Sequence, residues 1–242
     1  MEYNRAQIKH VAKEAAKGNR WRWWKMLIFG SLIASGISVI GNIVSAILAG
    51  LGDFGALMGS VIALAVSIVS AAATMIATFT VIKLTLNIYD GKPKEFDPVL
   101  FGSLDGTPLP DDTKYDASYW KDVIFINFVM TAGIFLGTIL FVIPGIYFMF
   151  CYCMSLYVKA DHPEYDWKEC MKASKEMMIG QKWKYIIFVL SFILWEYAVA
   201  FTFGIAGIWV APYMAIASAG FYRYVSNTAI KPIESNTSQP EV

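Results

Sequence analysis

WRWWK, residues 21–25, followed by MLIFGSLIASGISVIGNIVSAILAG, residues 26–50, decides the fold. The first five residues alternate indole rings with cations. The next stretch, Met26 to Gly50, holds no charge. About 20 apolar residues in a helix cross the hydrocarbon core of a bilayer, so this run is long enough. Indoles settle at the headgroup level, and Lys and Arg heads snorkel to water there. Trp21, Trp23 and Trp24 therefore read as interface anchors ahead of a spanning segment. The run is longer than the apolar core of a signal peptide, about 7–15 residues, and another apolar stretch follows it. It reads as a retained anchor.

Outward from this stretch the chain continues as six apolar segments, roughly 26–50, 58–82, 123–142, 145–159, 185–203 and 208–225. The twenty Lys and Arg residues avoid alternate connections. Arg5, Lys9, Lys13, Lys17, Arg20, Arg22 and Lys25 precede the first segment. Others lie in the 83–122 loop, between the fourth and fifth segments, and at and after the end of the sixth. The remaining connections carry none. Such asymmetry orients a multi-pass protein with its basic side in the cytoplasm, and an even number of crossings puts both termini there. Trp120, Trp167 and Trp183 read as further anchors on that side. Composition agrees: 57% of residues are hydrophobic and only 16% charged, against about 25% charged in ordinary soluble domains. A net charge of +1 gives no global field for nucleic acid, which is not expected as a partner. The odd set Cys151, Cys153 and Cys170 argues against a disulfide framework.

Three polar segments read as cytoplasmic surface helices. In residues 1–25, Ile8, Val11, Ala12 and Ala15 form an apolar stripe among cations, and Gly18-Asn19 predicts its end. Asp97-Pro98 opens a second short helix. In the third, 166–180, Asp166 caps, Glu169 stands at the capping-box position and Gly180 closes. Its face of Trp167, Cys170, Met171, Ser174, Met177 and Met178 predicts a helix lying in the headgroups. The Asp105–Asp116 loop does not match the spacing of a calcium loop. Residues 226–242 read as a disordered cytoplasmic tail.

Within the membrane, Ala63, Ser67 and Ala71 recur at helical spacing, and Gly133-x-x-x-Gly137 is a close-packing motif. Pro144, Gly145, Gly204, Gly207 and Pro212 mark hinges, with tight Pro-Gly and Gly reversals on the outer side. Glu196 lies twelve residues past Lys184, about 18 Å deep along a straight helix. Intramembrane acids are functional candidates by default. No Lys or Arg is expected at that depth, which leaves Asn42 and Asn127 as hydrogen-bond partners. His10 and His162 lie in polar segments, and neither they nor any Ser, Cys or glycine-loop motif builds a recognisable catalytic or metal-binding pattern. No catalytic residue, metal or cofactor is expected.

The second half resembles a family of uncharacterised bacterial integral membrane proteins, domain of unknown function 975. The residues that carry this are Phe141-Val-Ile-Pro-Gly-Ile-Tyr147, Tyr157-Val-Lys-Ala-Asp161 with Pro163, and Ser174-Lys-Glu-Met-Met178. They continue through Gly180-Gln-Lys-Trp-Lys184, Leu190-Ser-Phe-Ile-Leu-Trp195, Gly207-Ile-Trp-Val-Ala-Pro-Tyr213 and Phe221-Tyr-Arg223. Arg5 to Trp21 is similar to the family as well, with an insertion near 105–118. The resemblance implies a six-span protein of a bacterial cytoplasmic membrane. It brings no activity and no catalytic residue. The expectation is an all-α polytopic membrane helix bundle, non-enzymatic, acting by binding membrane lipids, another membrane protein or a second copy of itself. Two alternatives stand beside it: a transporter or channel using Glu196, and a lipid-handling membrane domain.

Overall fold

The structure, a computed structural model, describes residues 4–91, 117–140 and 142–234. Among these residues every regular element is helical. In order they are α1 (Arg5–Ala49), α2 (Asp53–Tyr89), α3 (Ala117–Leu140), α4 (Val142–Tyr152), α5 (Ser155–Asp161), α6 (Trp167–Met177), α7 (Lys182–Leu190), α8 (Ile193–Phe201) and α9 (Gly207–Glu234). The short helix expected at 97–104, its loop and the chain after 234 lie outside the described residues. Five stretches are long and apolar enough to cross a membrane: Arg5–Ala49, Asp53–Tyr89, Ser118–Leu140, Val142–Asp161 and Lys182–Phe201. The expected sixth, within α9, is not among them. Pro212, Ser218, Arg223 and several tyrosines dilute its apolar content.

Three antiparallel hairpins rise from one packed base. In the first, α1 and α2 meet along small residues. A Cβ on Gly30 would come 2.7 Å from that of Ala77, and one on Gly59 would come 2.7 Å from the Ser45 carbonyl. A Cβ on Gly41 would run into the Val66 methyls. Ser38 and Ser70 share a hydrogen bond of 2.7 Å across the seam. Close approach of this kind gives helices contact where lipid offers no hydrophobic drive. The turn uses Gly52 at φ 93°, a conformation open to glycine. In the second hairpin, Gly133 lies against the Phe148 ring, and a Cβ on Gly137 would come 2.8 Å from Gly145 Cα. α3 ends at Leu140 and α4 begins at Val142, and Pro144 occupies the first turn of α4, where its missing N–H costs nothing. The third hairpin turns at Phe203 and Gly204, φ 50° and 91°, and pairs α7–α8 with α9.

The base is the buried core. Ile8, Ala12 and Met26 of α1 join Phe79 and Leu84 of α2, Val123 and Ile126 of α3, Val158 of α5, Cys170 of α6, Phe188 of α7 and Ile216 and Phe221 of α9. The described cations lie on the segments that build this base. Beyond it the hairpins expose large apolar side chains, among them Leu57, Leu64, Phe135, Leu140 and Phe203.

Several expectations about local structure change. α1 does not end at Gly18-Asn19. Its 45 residues make one helix about 67 Å long, longer than a whole bilayer of about 40–45 Å. Asn19 turns its amide back to the Ala15 carbonyl at 3.1 Å, and buried Ala16 and Trp23 hold the helix on either side. Part of the apolar stripe of residues 1–25 packs inside the molecule: Ile8 and Ala12 are buried, Ile8 against Gly220 of α9, whereas Val11 is exposed. The apolar face of α6 likewise turns inward, with Cys170, Met171, Ser174 and Met178 buried in the base. Its capping box at Asp166 and Glu169 is formed. α9 continues to Glu234, past the expected start of the tail at 226, because buried Ser226 extends its packed face. Trp21 and Trp183 are exposed, whereas Trp23 is buried, Trp120 packs edge-on against Phe79, and Trp167 stacks on Phe125.

Candidate functional site

Glu196, Asn42 and Asn127 are not brought together. Asn127 is half-buried on α3 and donates to the carbonyl of Val123 in its own helix at 2.9 Å. Asn42 is exposed on the outer half of α1. Glu196 is exposed on α8, with no hydrogen bond or ion pair among the described residues. Its neighbour Trp195 faces Lys13, Lys17 and Arg20 of α1. Asn42 lies 22 residues beyond Arg20, about 33 Å along the same helix. The straight helix that set Glu196 at mid-depth is absent: α7 ends at Leu190 and α8 starts at Ile193. The absence of cations expected at the level of Glu196 is also overturned, because α1 carries them there.

The α2 hydroxyls make no lining. Ser67, Thr74 and Thr78 donate to carbonyls four residues back in their own helix. Ser67 and Ala71 are exposed, and Ala63 is half-buried. The face of α2 that meets α1 is instead the one bearing Gly59, Val66, Ser70 and Ala77.

Polar side chains concentrate in the base. Arg223 of α9 donates from Nε to Asp90 Oδ1 at 3.0 Å and from a terminal nitrogen to Asp161 Oδ2 at 2.7 Å. Tyr222 donates to the same Asp161 oxygen at 3.0 Å. One guanidinium thus ties the ends of α2 and α5 to α9, which suits its planar fork of donors. Beside it opens a cleft of about 710 Å³ edged by Asn4, Gln7 and Asn227. Lys159 is buried at 1% exposure. All three of its ammonium hydrogens are used: Asp122 Oδ2 at 2.8 Å, Tyr165 O at 2.6 Å and Pro163 O at 3.1 Å. Burying an ammonium is costly unless its hydrogens are paired in this way. His162 stacks on Tyr165 and bonds Glu164, while the Cys170 thiol lies 3.9 Å from the Tyr165 carbonyl. Burial pushes that thiol up to about 12. Among the described residues no group of three His, Cys, Asp or Glu side chains is placed to hold a metal ion.

Three interruptions of apolar helices are bridged from outside. Between α4 and α5, Ser174 of α6 donates to Cys151 O at 3.0 Å and accepts from Met154 N at 3.2 Å. Between α7 and α8, Trp195 N turns to Phe192 O, and the freed Ser191 carbonyl accepts from Lys9 Nζ at 3.1 Å. In α9, Pro212 has no N–H for the Ile208 carbonyl, which accepts instead from Trp24 Nε1 at 2.9 Å. Backbone groups left open in hydrocarbon are costly, so a break there needs a partner. The residue-by-residue reading found Pro212 and the caps of α6, but not these bridges. Each joins positions far apart in the chain, and only Pro212 signals its own unfilled carbonyl.

The family model for "Protein of unknown function (DUF975)" matches residues 113–229, the family whose resemblance the sequence carries. The matched stretch runs from just ahead of α3 into α9 and includes Asp122, Lys159, Asp161, Ser174, Pro212 and Arg223. α1 and α2 lie outside it. No curated protein and no solved structure matches the chain.

Proposed function

We propose that this chain, with its DUF975 match, is a non-enzymatic multi-pass protein of the bacterial cytoplasmic membrane that acts by binding lipid or a membrane partner. The observation that carries this is the separation of surfaces. Bare apolar hairpins extend from a base to which the described cations belong. Such a body sits with its base at the cytoplasmic face and its hairpins in hydrocarbon. The third hairpin lies shallower than the first, since Ile208, just past its turn, meets Trp24 at the start of the apolar run of α1. The exposed and unassembled polar residues favour binding over conduction: Glu196 faces no second carboxylate, Ser67, Thr74 and Thr78 close on their own backbone, and Ser70 bonds α1.

Cysteine accessibility in intact cells and in inverted vesicles tests the placement. A single cysteine at Asp53 should label from outside, and one at Lys172 from inside. Labelling of Lys172→Cys from the outer side would overturn the orientation. Flux of a small ion through proteoliposomes that is lost in Glu196→Gln would overturn the binding reading.

A further inference from the structure

We propose that the groove between α1, α8 and α9 binds an anionic phospholipid, with its phosphate on Lys13 and Arg20 and an acyl chain against Trp195 and Trp209. The proposal rests on the membrane reading above and names the lipid class and its seat. The groove has a volume of about 290 Å³. One wall is cationic: Lys13, Lys17 and Arg20 recur at helical spacing and share a face of α1. The other is aromatic: Trp195, Trp209 and Tyr213, with Trp195 and Tyr213 ring centroids 6.2 Å apart.

The charges decide the ligand's sign. Lys17 is neutralised by Glu14 at 2.8 Å. Lys13 and Arg20 have no carboxylate partner among the described residues, so the wall keeps a net charge of about +2. The aromatic wall decides its other half. Trp195 and Trp209 remain 48% and 53% exposed, and the hairpin that carries them ends in bare Phe201 and Phe203. A soluble anion would satisfy the cations and leave the indoles wet. An apolar helix would cover the indoles and desolvate two unpaired cations at a cost. An amphiphile with a phosphate at one end and hydrocarbon at the other satisfies both walls. Pockets for whole drug-sized ligands run from about 300 to 1,000 Å³. This groove therefore takes the headgroup end of a lipid, and the chains continue along the exposed hairpin.

The test uses the full chain in non-ionic detergent, titrated with phosphatidylglycerol, phosphatidylcholine or glycerol phosphate and read by native mass spectrometry. Phosphatidylglycerol should be retained in preference to phosphatidylcholine. The pair Lys13→Gln/Arg20→Gln should weaken it about 25-fold, about fivefold for each cation near an anionic headgroup. The pair Lys172→Gln/Lys175→Gln removes the same charge from the exposed face of α6 and should change retention less than about twofold. Equal losses in the two pairs, or equal retention of both lipids, would overturn the groove while leaving the membrane reading intact. Displacement of the lipid by glycerol phosphate at equal concentration would make it a soluble-anion site instead. A chain that stays monodisperse without detergent would remove the membrane reading itself. Lys13, Lys172 and Lys175 are exposed and Arg20 is half-buried, so circular dichroism should show unchanged folding in each variant.

Discussion

Replacing Trp24 by phenylalanine should destabilise the protein only as long as residue 212 is proline. Pro212 cannot donate to the carbonyl four residues back, and Trp24 Nε1 supplies that donor to Ile208 O at 2.9 Å. Phenylalanine keeps most of the ring that meets Trp23 edge-on at 5.2 Å and removes the N–H. The net worth of such a bond is about 0.5–1.5 kcal/mol, so Trp24→Phe should cost about 1 kcal/mol. In a chain of this length that lowers the melting temperature by about 2–4 °C. In a Pro212→Ala background the backbone N–H of residue 212 reaches Ile208 O within the helix. The indole then adds little, and Trp24→Phe should cost only a few tenths of a kcal/mol in lost contact, on the order of 0.3. The measurement is a double-mutant cycle by thermal unfolding in one detergent, with all four chains compared. A coupling of about 0.7 kcal/mol, the difference between the two costs, supports the bridge. Equal costs of Trp24→Phe in the two backgrounds, within about 0.3 kcal/mol, would refute it.

Two other substitutions and a labelling experiment probe the base and the first hairpin. Lys159→Met strips Asp122 and two carbonyls of their shared donor and should cost about 3–5 kcal/mol, with much of it recovered by adding Asp122→Leu; a cost under about 1 kcal/mol in unfolding measurements would show the pair to be unimportant. Gly41→Leu drives a side chain into Val66 and should cost about 1–3 kcal/mol, relieved by Val66→Ala, and an unrelieved loss would place the seam elsewhere. Cys170, as the single cysteine of a Cys151→Ala/Cys153→Ala chain, should resist maleimide at pH 8 and react once unfolded. Its thiolate forms only as the pH approaches about 12, so fast labelling of the folded protein would contradict its burial.

Much of the helical layout could be read from local pattern. Apolar runs located the long helices, Asp166 and Glu169 located the start of α6, and Gly204 has the positive φ that its glycine allows. What escaped was set by distance along the chain. Arg223 bonds Asp90 and Asp161 across separations of 133 and 62 residues, and no local spacing announces such a pairing. α1 misled for a different reason. Its two halves have opposite compositions, so they read as two elements, yet buried Ala16, Trp23 and Met26 carry one helix through the change. The seam of the first hairpin was visible in Gly30, Ala34 and Gly41 but was overshadowed by the denser small residues of α2. Those residues are small because the helix tolerates them there, and only part of them meets α1.

The bridged breaks connect this folding to the proposed role. A hairpin with an unsatisfied break would not remain in hydrocarbon, because each open carbonyl or N–H is costly there. Here each donor comes from a base element: Ser174 from α6, and Lys9 and Trp24 from the basic half of α1. α1 therefore holds the third hairpin by polar contacts at two levels, Ser191 and Ile208, and the cationic-aromatic groove lies between those levels. A ligand seated there would touch α1 and the hairpin at once. Its binding would stabilise the docked hairpin in proportion to its affinity for that arrangement. The lipid-binding and helix-bridging predictions are thus linked: Trp24→Phe should weaken phosphatidylglycerol retention without removing any cation. If retention is untouched while stability falls, the groove and the bridge act independently, and the hairpin is positioned by packing alone.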